Sequence, residues 1–186
     1  QEGEISATAK RIANAGLRYV WFGDEQSLTG YDGKAIDFCF SEHCLAEFRE
    51  FLKVRYGTLK RLNSEWETAF TDWDSVVPFT RQEVWAPGGA KHVAGWADHL
   101  EFMDGRLAHS LDHAAGILRR SDSNLATSIS GTQPPTAYGG MDLWKQVRGL
   151  GGALSYMSGG QLDIHRSFRP DGDFMPWNWG YSQVGE

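Results

Sequence analysis

A chain of 186 residues has the length of a single domain and can bury a hydrophobic core. Its net charge is -6, and the sequence has no cluster of Lys and Arg residues that could bind phosphates, which argues against a nucleic-acid partner. No apolar run reaches the roughly 20 residues that a bilayer-spanning helix needs, so we expect no membrane partner.

The first residues, QEGEISATAKRIANAG, are polar and then amphipathic, without the apolar core of a signal peptide. They lack an initiating Met and begin inside a predicted helix, so we expect the chain to be a piece of a longer protein. The two Cys residues are too few for a disulfide framework and leave the cellular compartment undetermined. The eight Trp residues either pack in a core or line a ligand cleft.

The N-terminal part begins with a helix, a buried strand and a pair of acids. Residues 4–15 are predicted to be helical and to end at Gly16, and LRYVWFG (17–23) has the nearly continuous apolar character of a parallel strand. Asp24 and Glu25 follow that strand directly, and a Gly-containing loop follows them. Either this strand end simply reaches solvent, or the two acids lie at the mouth of a barrel.

The middle of the chain is mostly helical. A strong helix is predicted over 41–57 and a second over 58–70, whereas the Pro-containing segment 71–90 is predicted to be irregular. The apolar face of the first helix comprises Leu45, Phe48, Leu52 and Tyr56. The clearest helix spans 93–121, where apolar residues recur at spacings of three and four. Its apolar positions are Trp96, Leu100, Met103, Leu107, Leu111, Ala114 and Leu118.

The C-terminal part alternates strands and helices. Strands are predicted over 124–131 and 152–158, helices over 139–149 and 161–168, and an aromatic strand or strand end over 173–182. This order indicates an α/β fold with a parallel sheet, and no GxGxxG or P-loop supports nucleotide binding. In a (β/α)8 barrel the chemistry lies at the C-terminal ends of the strands. The residues expected there are Asp24, Glu25, Ser130, Ser158 and Trp177–Trp179.

The segment FCFSEHCLAEFREFLKVRYGTLKRLNSEWETAF resembles the β-galactosidases of glycoside hydrolase family 42. Those carry C-x-C-x-x-C, A-F-R-x-W-L, Y-G and L-N-x-x-W-G-T-x-F in succession after the fourth barrel strand. The corresponding positions are Cys39, Ser41 and Cys44, loosely Ala46 to Leu52, and then Tyr56, Gly57, Leu62, Asn63, Trp66, Thr68 and Phe70. The resemblance covers mainly residues 17–80. It implies that residues 1–186 are part of one (β/α)8 TIM-barrel domain, about strands 4 to 7 with their helices.

The resemblance also implies a retaining two-carboxylate mechanism acting on β-galactosides or related oligosaccharides. The family ends its fourth strand in Asn-Glu, where the Glu is the general acid/base, and the pair here is Asp24-Glu25. Asp24 can accept a hydrogen bond from a sugar hydroxyl but, unlike Asn, cannot donate one. The family nucleophile is a Glu at the end of the seventh strand, for which Glu186 is the only candidate in reach.

The predicted substrate-binding residues, besides Asp24, are Trp177, Asn178, Trp179 and Tyr181. The three aromatic residues alternate, so they would face one side of an extended segment. On that side the indole rings of Trp177 and Trp179 can stack on sugar rings, while the side-chain amide of Asn178 can bind hydroxyl groups. A Trp-rich barrel floor is the equally supported alternative.

No metal or other cofactor is expected. Ser41 stands at the middle position of the Cys cluster that some family members use to bind a metal. Cys39, Cys44 and the neighbouring His43 then give at most three donors, fewer than the four of structural zinc. We interpret the two Cys residues as ordinary thiols.

The helical histidines are interpreted as surface residues. His109 and His113 have the spacing of a helical metal pair, but no third ligand or HExxH motif accompanies them, so a polar helix face is preferred. His165 and Arg166 could touch substrate, yet we interpret their segment as a short solvated helix.

Two other functions stay open. A non-catalytic carbohydrate-binding relative that has lost the nucleophile is favoured by the lack of an acid between Trp177 and Tyr181. A different clan of sugar hydrolase or lyase could use the same barrel. The partner is a carbohydrate in each case, and a homo-oligomer is a further partner to consider. We expect the full-length protein to be a glycoside hydrolase and the fragment alone to be inactive.

Overall fold

The computed structural model describes residues 2–12, 15–17, 19–24, 28, 37–88, 93–132, 142–155 and 160–176. Its helices are α1 (Glu2–Ile12), α2 (Glu42–Tyr56), α3 (Leu59–Trp66), α4 (Arg81–Trp85), α5 (Val93–Ser121), α6 (Leu143–Gly149) and α7 (Gly160–Phe168). Its strands are β1 (Tyr19–Asp24), β2 (Ala126–Thr132), β3 (Gly152–Ser155) and β4 (Asp173–Pro176). The chain divides into two compact units, the first with residues 1–27, 106–136 and 141–186, and the second with residues 28–105 and 137–140.

The first unit is built on a parallel sheet. Within the described ranges its strands pair in the order β1-β2-β3-β4, and each pairing is parallel. Helices precede β2, β3 and β4 along the chain, as crossover connections between parallel strands require. This arrangement confirms the α/β class and the parallel sheet expected from the alternation of strands and helices.

One face of β1 packs against helices. Val20 and Phe22 contact a small core that includes Ala9 of α1 and Leu118 of α5. Because side chains alternate along a strand, Trp21 lies on the opposite face, where 48% of it is exposed. The sheet therefore has a helix-covered face and a face that α1 and α5 do not cover.

The pairing of residues between neighbouring strands shows which residues of the other strands share this second face. Trp21 pairs with Ser128, and Ser128 pairs with Gly152. Leu154, two residues further along β3, pairs with Met175, which is 43% exposed. In a closed (β/α)8 barrel, the face turned away from the helices lines the interior. Trp21 and Met175 thus occupy barrel-interior positions on the two outer strands of the described sheet.

The second unit has an apolar core of its own. The buried core residues are Phe48, Leu52, Leu62, Trp66, Val76, Phe102 and Met103. Helix α2 begins at the predicted place because the Ser41 side chain accepts a hydrogen bond from the Cys44 N–H. It ends at Gly57, whose φ of 73° favours glycine. Its buried residues belong to the face predicted from the sequence.

Helix α5 spans the predicted residues 93–121. Most of its predicted apolar positions are buried, among them Met103, Leu107, Leu111 and Leu118. Residues 93–105 belong to the second unit and residues 106–121 to the first. Neither α5 nor any other helix in the described ranges is long and apolar enough to cross a membrane.

Helix α4 lies inside the segment 71–90, so the prediction of irregular structure there is wrong for this stretch. A capping box begins the helix. The Thr80 side chain accepts from the Glu83 N–H at 3.2 Å, and the Glu83 carboxylate accepts from the Thr80 N–H at 2.7 Å. Five residues are too few to show a helical period, although T-x-x-E is itself a capping signal.

Candidate functional site

The C-terminal end of β1 brings Asp24 against β2. Asp24 pairs with Ser130 in the sheet. The Ser130 Oγ atom lies 2.9 Å from the Gly23 carbonyl oxygen and 3.1 Å from Asp24 Oδ1, and its proton can be shared between these two acceptors. Ser130 is buried while Asp24 is exposed. A buried hydroxyl group therefore holds an exposed carboxylate at the strand end.

A bulge determines the face on which Asp24 lies. Trp21 pairs with Ser128, but Asp24, three residues further on, pairs with Ser130, only two residues further on. The extra residue in β1 is accommodated by Gly23, whose φ of 125° is rare for other residues. As a result, Asp24 shares the barrel-interior face with Trp21 instead of the helix-covered face.

Strand β2 carries a matching bulge. Ile129 pairs with Ala153 and Thr132 pairs with Ser155, so three residues of β2 again span two of its partner. Gly131, within this stretch, has a φ of 66°. Bulges are common at barrel rims and beside active sites because they redirect side chains. Sequence reasoning missed both, although a glycine inside a strand is a recognised signal of a bulge.

Most of the predicted site lies outside the described residues. Those positions are Glu25, Ser158, Trp177, Asn178, Trp179, Tyr181 and Glu186. Their roles stay predictions. Of the residues predicted at the strand ends, the structure describes Asp24 and Ser130, which pair with each other in the parallel sheet. Asp24 stands at the C-terminal end of β1.

Asn63 of the family-like block braces the turn that follows α3. Its Oδ1 atom accepts hydrogen bonds from the Phe70 N–H and the Thr68 hydroxyl, both at 2.9 Å. Its Nδ2 atom donates to the Phe70 carbonyl oxygen at 2.8 Å. Three residues of the L-N-x-x-W-x-T-x-F pattern thus bind one another, which gives their spacing a structural reason.

Tyr56 and Trp66 of the same block converge on a buried acid. The Tyr56 hydroxyl donates to Asp98 Oδ2 at 2.6 Å, and Trp66 Nε1 donates to the same oxygen at 2.8 Å. Arg55 Nε lies 3.1 Å from Asp98 Oδ1. Asp98 is only 3% exposed, and a buried carboxylate needs such partners. The family-like block therefore stabilises the second unit.

Asp37 anchors the chain ahead of α2. Its Oδ2 atom accepts from the N–H of Arg81, the first residue of α4, at 2.7 Å. Its Oδ1 atom accepts from Trp96 Nε1 on α5 at 2.9 Å. An acid is favoured beside the unpaired N–H groups at the start of a helix. The segment that leads into α2 is consequently tied to both helices.

Among the residues that the structure describes, the donors near the two cysteines are fewer than zinc requires. Cys39 and Cys44 are half-buried and free of disulfides. His43 lies 3.3 Å from Glu47 on the exposed side of α2. In the ranges that the structure describes, no group of three or more His, Cys, Asp or Glu residues could hold a metal ion. The expectation that these thiols bind no metal stays a prediction.

His165 is buried, so the interpretation of its helix as solvated is wrong for this residue. It is 2% exposed, and its ring centroid lies 5.6 Å from that of Phe174 on β4. Burial lowers the pKa of His165 below its ordinary value. Arg166, the next residue, is exposed as expected.

The histidines of α5 divide into buried and exposed positions. Burial lowers the pKa of His99, outweighing a hydrogen bond to the Cys39 backbone and the charge of Asp37, which both raise it. His109 and His113 are exposed, with ring centroids 6.4 Å apart. The polar-face interpretation fits this exposed pair, whereas His99 belongs to the core.

The similarity to curated proteins agrees with the family 42 resemblance of residues 38–70. The family model described as beta-galactosidase, for glycoside hydrolase family 42, matches residues 26–152. The chain is 28% identical over 141 residues to a beta-galactosidase from Geobacillus kaustophilus, covering 72% of this chain and 20% of that protein. It is 29% identical over 101 residues to a thermophilic beta-amylase from Thermoanaerobacterium thermosulfurigenes, covering 54% of this chain and 18% of that protein. The chain thus spans about a fifth of the length of these relatives.

Solved structures agree on the fold. A beta-galactosidase from Rahnella sp. R3 superposes with a TM-score of 0.66 at 19% identity, over 83% of this chain and 21% of that one. The catalytic domain of a beta-amylase from Paenibacillus polymyxa gives a TM-score of 0.67 at 17% identity, over 93% of this chain and 54% of that one. These neighbours are TIM-barrel glycoside hydrolases, which confirms that the chain is a portion of such a barrel. Because the family model covers more than half of its residues, the chain belongs to glycoside hydrolase family 42.

Proposed function

We propose that this chain carries the general acid/base of a retaining glycoside hydrolase of β-galactosidase type. The observation that supports it most is Asp24, which stands at the C-terminal end of β1, on the barrel-interior face and directly before Glu25 in sequence. In barrels of this kind, catalytic groups occupy that edge. The substrates are β-galactosides or related oligosaccharides, in keeping with the names of the relatives.

Each carboxylate has one task in this proposal. Glu25 protonates the glycosidic oxygen as the bond breaks and later takes a proton from the attacking water. Glu186 attacks the anomeric carbon and forms the glycosyl-enzyme intermediate, for which the two carboxyl groups stand about 5 Å apart. Asp24, held by the Ser130 hydroxyl, accepts a hydrogen bond from a sugar hydroxyl.

The rest of the chain supplies the barrel wall and the sugar contacts. Both compact units belong to one barrel domain, of which residues 1–186 are a part. Trp177, Trp179 and Tyr181 stack on sugar rings, and Asn178 binds a hydroxyl group. Two carboxylates suffice for the chemistry, so no cofactor is required.

A second candidate is a carbohydrate-binding relative that lacks the nucleophile. The observation in its favour is that residues 177–185 contain no Asp or Glu, so Glu186 is the first acid after β4. Such a protein would keep the cleft and its aromatic residues but would not break a glycosidic bond.

The leaving group of the substrate gives a direct test. In the intact protein, meaning the native translation product that contains this chain, kcat/KM is measured for lactose and for para-nitrophenyl β-galactoside. Glu25→Gln should lower kcat/KM for lactose by about 100- to 10,000-fold, because the amide cannot donate a proton to a poor leaving group. The nitrophenyl substrate, whose leaving group needs little protonation, should lose far less.

The matched control is Glu65→Gln, at an exposed position of α3, which should leave both values unchanged. An equal loss on both substrates, or no loss, would contradict the acid role of Glu25. An intact protein that binds galactosides without cleaving them would support the second candidate. Starch is included as a substrate because of the beta-amylase relatives, and cleavage of starch alone would overturn the β-galactosidase assignment.

A further inference from the structure

The side chain of Ser130 joins β2 to the C-terminal end of β1. Ser130 is only 3% exposed, yet its hydroxyl group reaches two oxygen atoms of the neighbouring strand. Its Oγ atom lies 2.9 Å from the Gly23 carbonyl oxygen and 3.1 Å from Asp24 Oδ1. A buried hydroxyl group is costly unless it is hydrogen-bonded, so these two contacts favour one orientation of the Ser130 side chain.

Both acceptors belong to the bulge that turns Asp24 towards the barrel interior. The register of β1 against β2 shifts between Trp21 and Asp24, and Gly23 lies in that stretch with a φ of 125°. A bulge disrupts the regular ladder of hydrogen bonds between strands. The Ser130 hydroxyl group adds a bond across this disruption. One side chain therefore stabilises both the bulge and the carboxylate that the bulge redirects.

Ser128 shows that a serine on this face does not make such a contact by default. It lies two residues before Ser130 on β2, so the two side chains share the barrel-interior face. Ser128 is 1% exposed, and its Oγ atom has no hydrogen-bond partner among the residues that the structure describes. It pairs with Trp21, ahead of the bulge. The contact made by Ser130 thus depends on its place opposite Asp24.

We propose that Ser130 is a positioning residue for sugar recognition, holding the Asp24 carboxylate at the strand end so that it selects a neutral sugar that donates a hydroxyl proton. This inference rests on the carbohydrate-binding part of the proposed function. A carboxylate accepts hydrogen bonds and donates none, so its partner on the sugar is a hydroxyl group. A sulfate or carboxylate group in that place would bring two negative charges together, which disfavours binding.

Holding the carboxylate in advance contributes to affinity. Asp24 is exposed, and the bond from Ser130 restricts the rotation of its side chain. Immobilising a side chain costs free energy on binding, and a side chain that is already held costs less. A carboxylate has about four acceptor sites, of which Ser130 uses one, so a sugar hydroxyl group can use another.

The test measures binding, so it does not depend on turnover. Dissociation constants of the intact protein are measured by calorimetry for methyl 1-thio-β-galactoside, a hydrolysis-resistant analogue, and for its monodeoxy and monosulfated derivatives. At one sugar position, removal of the hydroxyl group should weaken binding about 10- to 100-fold, as expected for a hydrogen bond to a charged group. In Asp24→Ala this loss should shrink to about twofold. The derivative sulfated at the same position should bind the unmodified protein at least as weakly as the deoxy derivative.

Variants of β2 test the role of Ser130. In Ser130→Ala the loss at that sugar position should fall to about threefold, whereas Ser130→Thr, which keeps the hydroxyl group, should retain most of it. The matched control is Ser128→Ala, which removes a buried hydroxyl group from the same face and should leave the pattern unchanged. Comparing two sugars on one variant cancels any general loss of stability. Asp24→Asn should bind the sulfated derivative at least tenfold more tightly than the unmodified protein does.

The outcomes separate this inference from the proposed hydrolysis. The same loss at that sugar position in Ser130→Ala and Ser128→Ala would overturn the positioning role, and equal binding of sulfated and parent sugars would overturn the selection for neutral sugars. A protein that binds none of these galactosides would overturn both. Hydrolysis of para-nitrophenyl β-galactoside is measured in parallel. The expected binding pattern without hydrolysis would support the role of Ser130 and contradict the retaining hydrolase, whereas hydrolysis without the pattern would contradict the role of Ser130 alone.

Discussion

Removing the Tyr56 hydroxyl tests the buried network around Asp98. Tyr56 donates to a carboxylate that is 3% exposed, over only 2.6 Å. Burial raises the pKa of Tyr56, as does its hydrogen bond to Asp98, so the hydroxyl remains a donor at neutral pH. Hydrogen bonds to charged groups contribute about 1.5–3 kcal/mol. In Tyr56→Phe, Trp66 and Arg55 still bind the carboxylate, so we expect a loss of about 2 kcal/mol.

Hydrogen exchange measures this loss locally. Some amides of α2 and α3 exchange only when both helices open together. If the opened state closes faster than its amides exchange, these amides should exchange about 30-fold faster in Tyr56→Phe, because about 1.4 kcal/mol corresponds to a factor of ten. The matched control is Thr71→Val, which removes an exposed hydroxyl 3.1 Å from Asp72 and should change exchange by about twofold at most. In an Asp98→Asn background, Tyr56→Phe should cost only about 1 kcal/mol. Equal effects of Tyr56→Phe and Thr71→Val would refute the reasoning.

Two further predictions concern α5. Burial lowers the pKa of His99, so its contribution to folding stability is complete above the unfolded pKa of about 6.5 and is lost as the pH falls through the lowered folded pKa. His99→Gln should therefore flatten the acid limb of a thermal-stability profile, whereas His109→Gln, at an exposed position, should leave the limb unchanged. A Cβ atom at Gly95 would lie 2.7 Å from Phe79 Cδ2, so Gly95→Ala should destabilise by about 1–3 kcal/mol in chemical unfolding. At Gly105 the added methyl group meets no atom within 4 Å, so Gly105→Ala should stabilise by up to about 1 kcal/mol, and similar costs at both sites would contradict the packing.

Long elements could be predicted from the sequence because many residues repeat the same information. Helix α5 shows its apolar spacing over 29 residues, and its bounds were predicted correctly. Helix α4 has five residues, fewer than two turns, so its capping box was the one available signal. The burial of single polar residues was harder to predict from the sequence. His165, for example, packs against Phe174, which belongs to another element.

In the candidate site, too, some features could be predicted from the sequence and others could not. The apolar run before Asp24 predicts a strand end, and the structure places that residue there. The face on which Asp24 lies depends on the bulge at Gly23, and regular alternation gives the opposite answer. The hydrogen bond from Ser130 joins residues that are 106 apart in sequence, and a single sequence carries no signal for that pairing.

The stereochemistry of the first product tests the central claim most directly. The intact protein is mixed with an aryl β-galactoside, and the anomeric proton of the released galactose is followed by NMR before mutarotation. A retaining two-carboxylate mechanism inverts the anomeric carbon twice, so β-galactose should appear first. Initial release of α-galactose would show a single displacement by water and would contradict the proposed nucleophile.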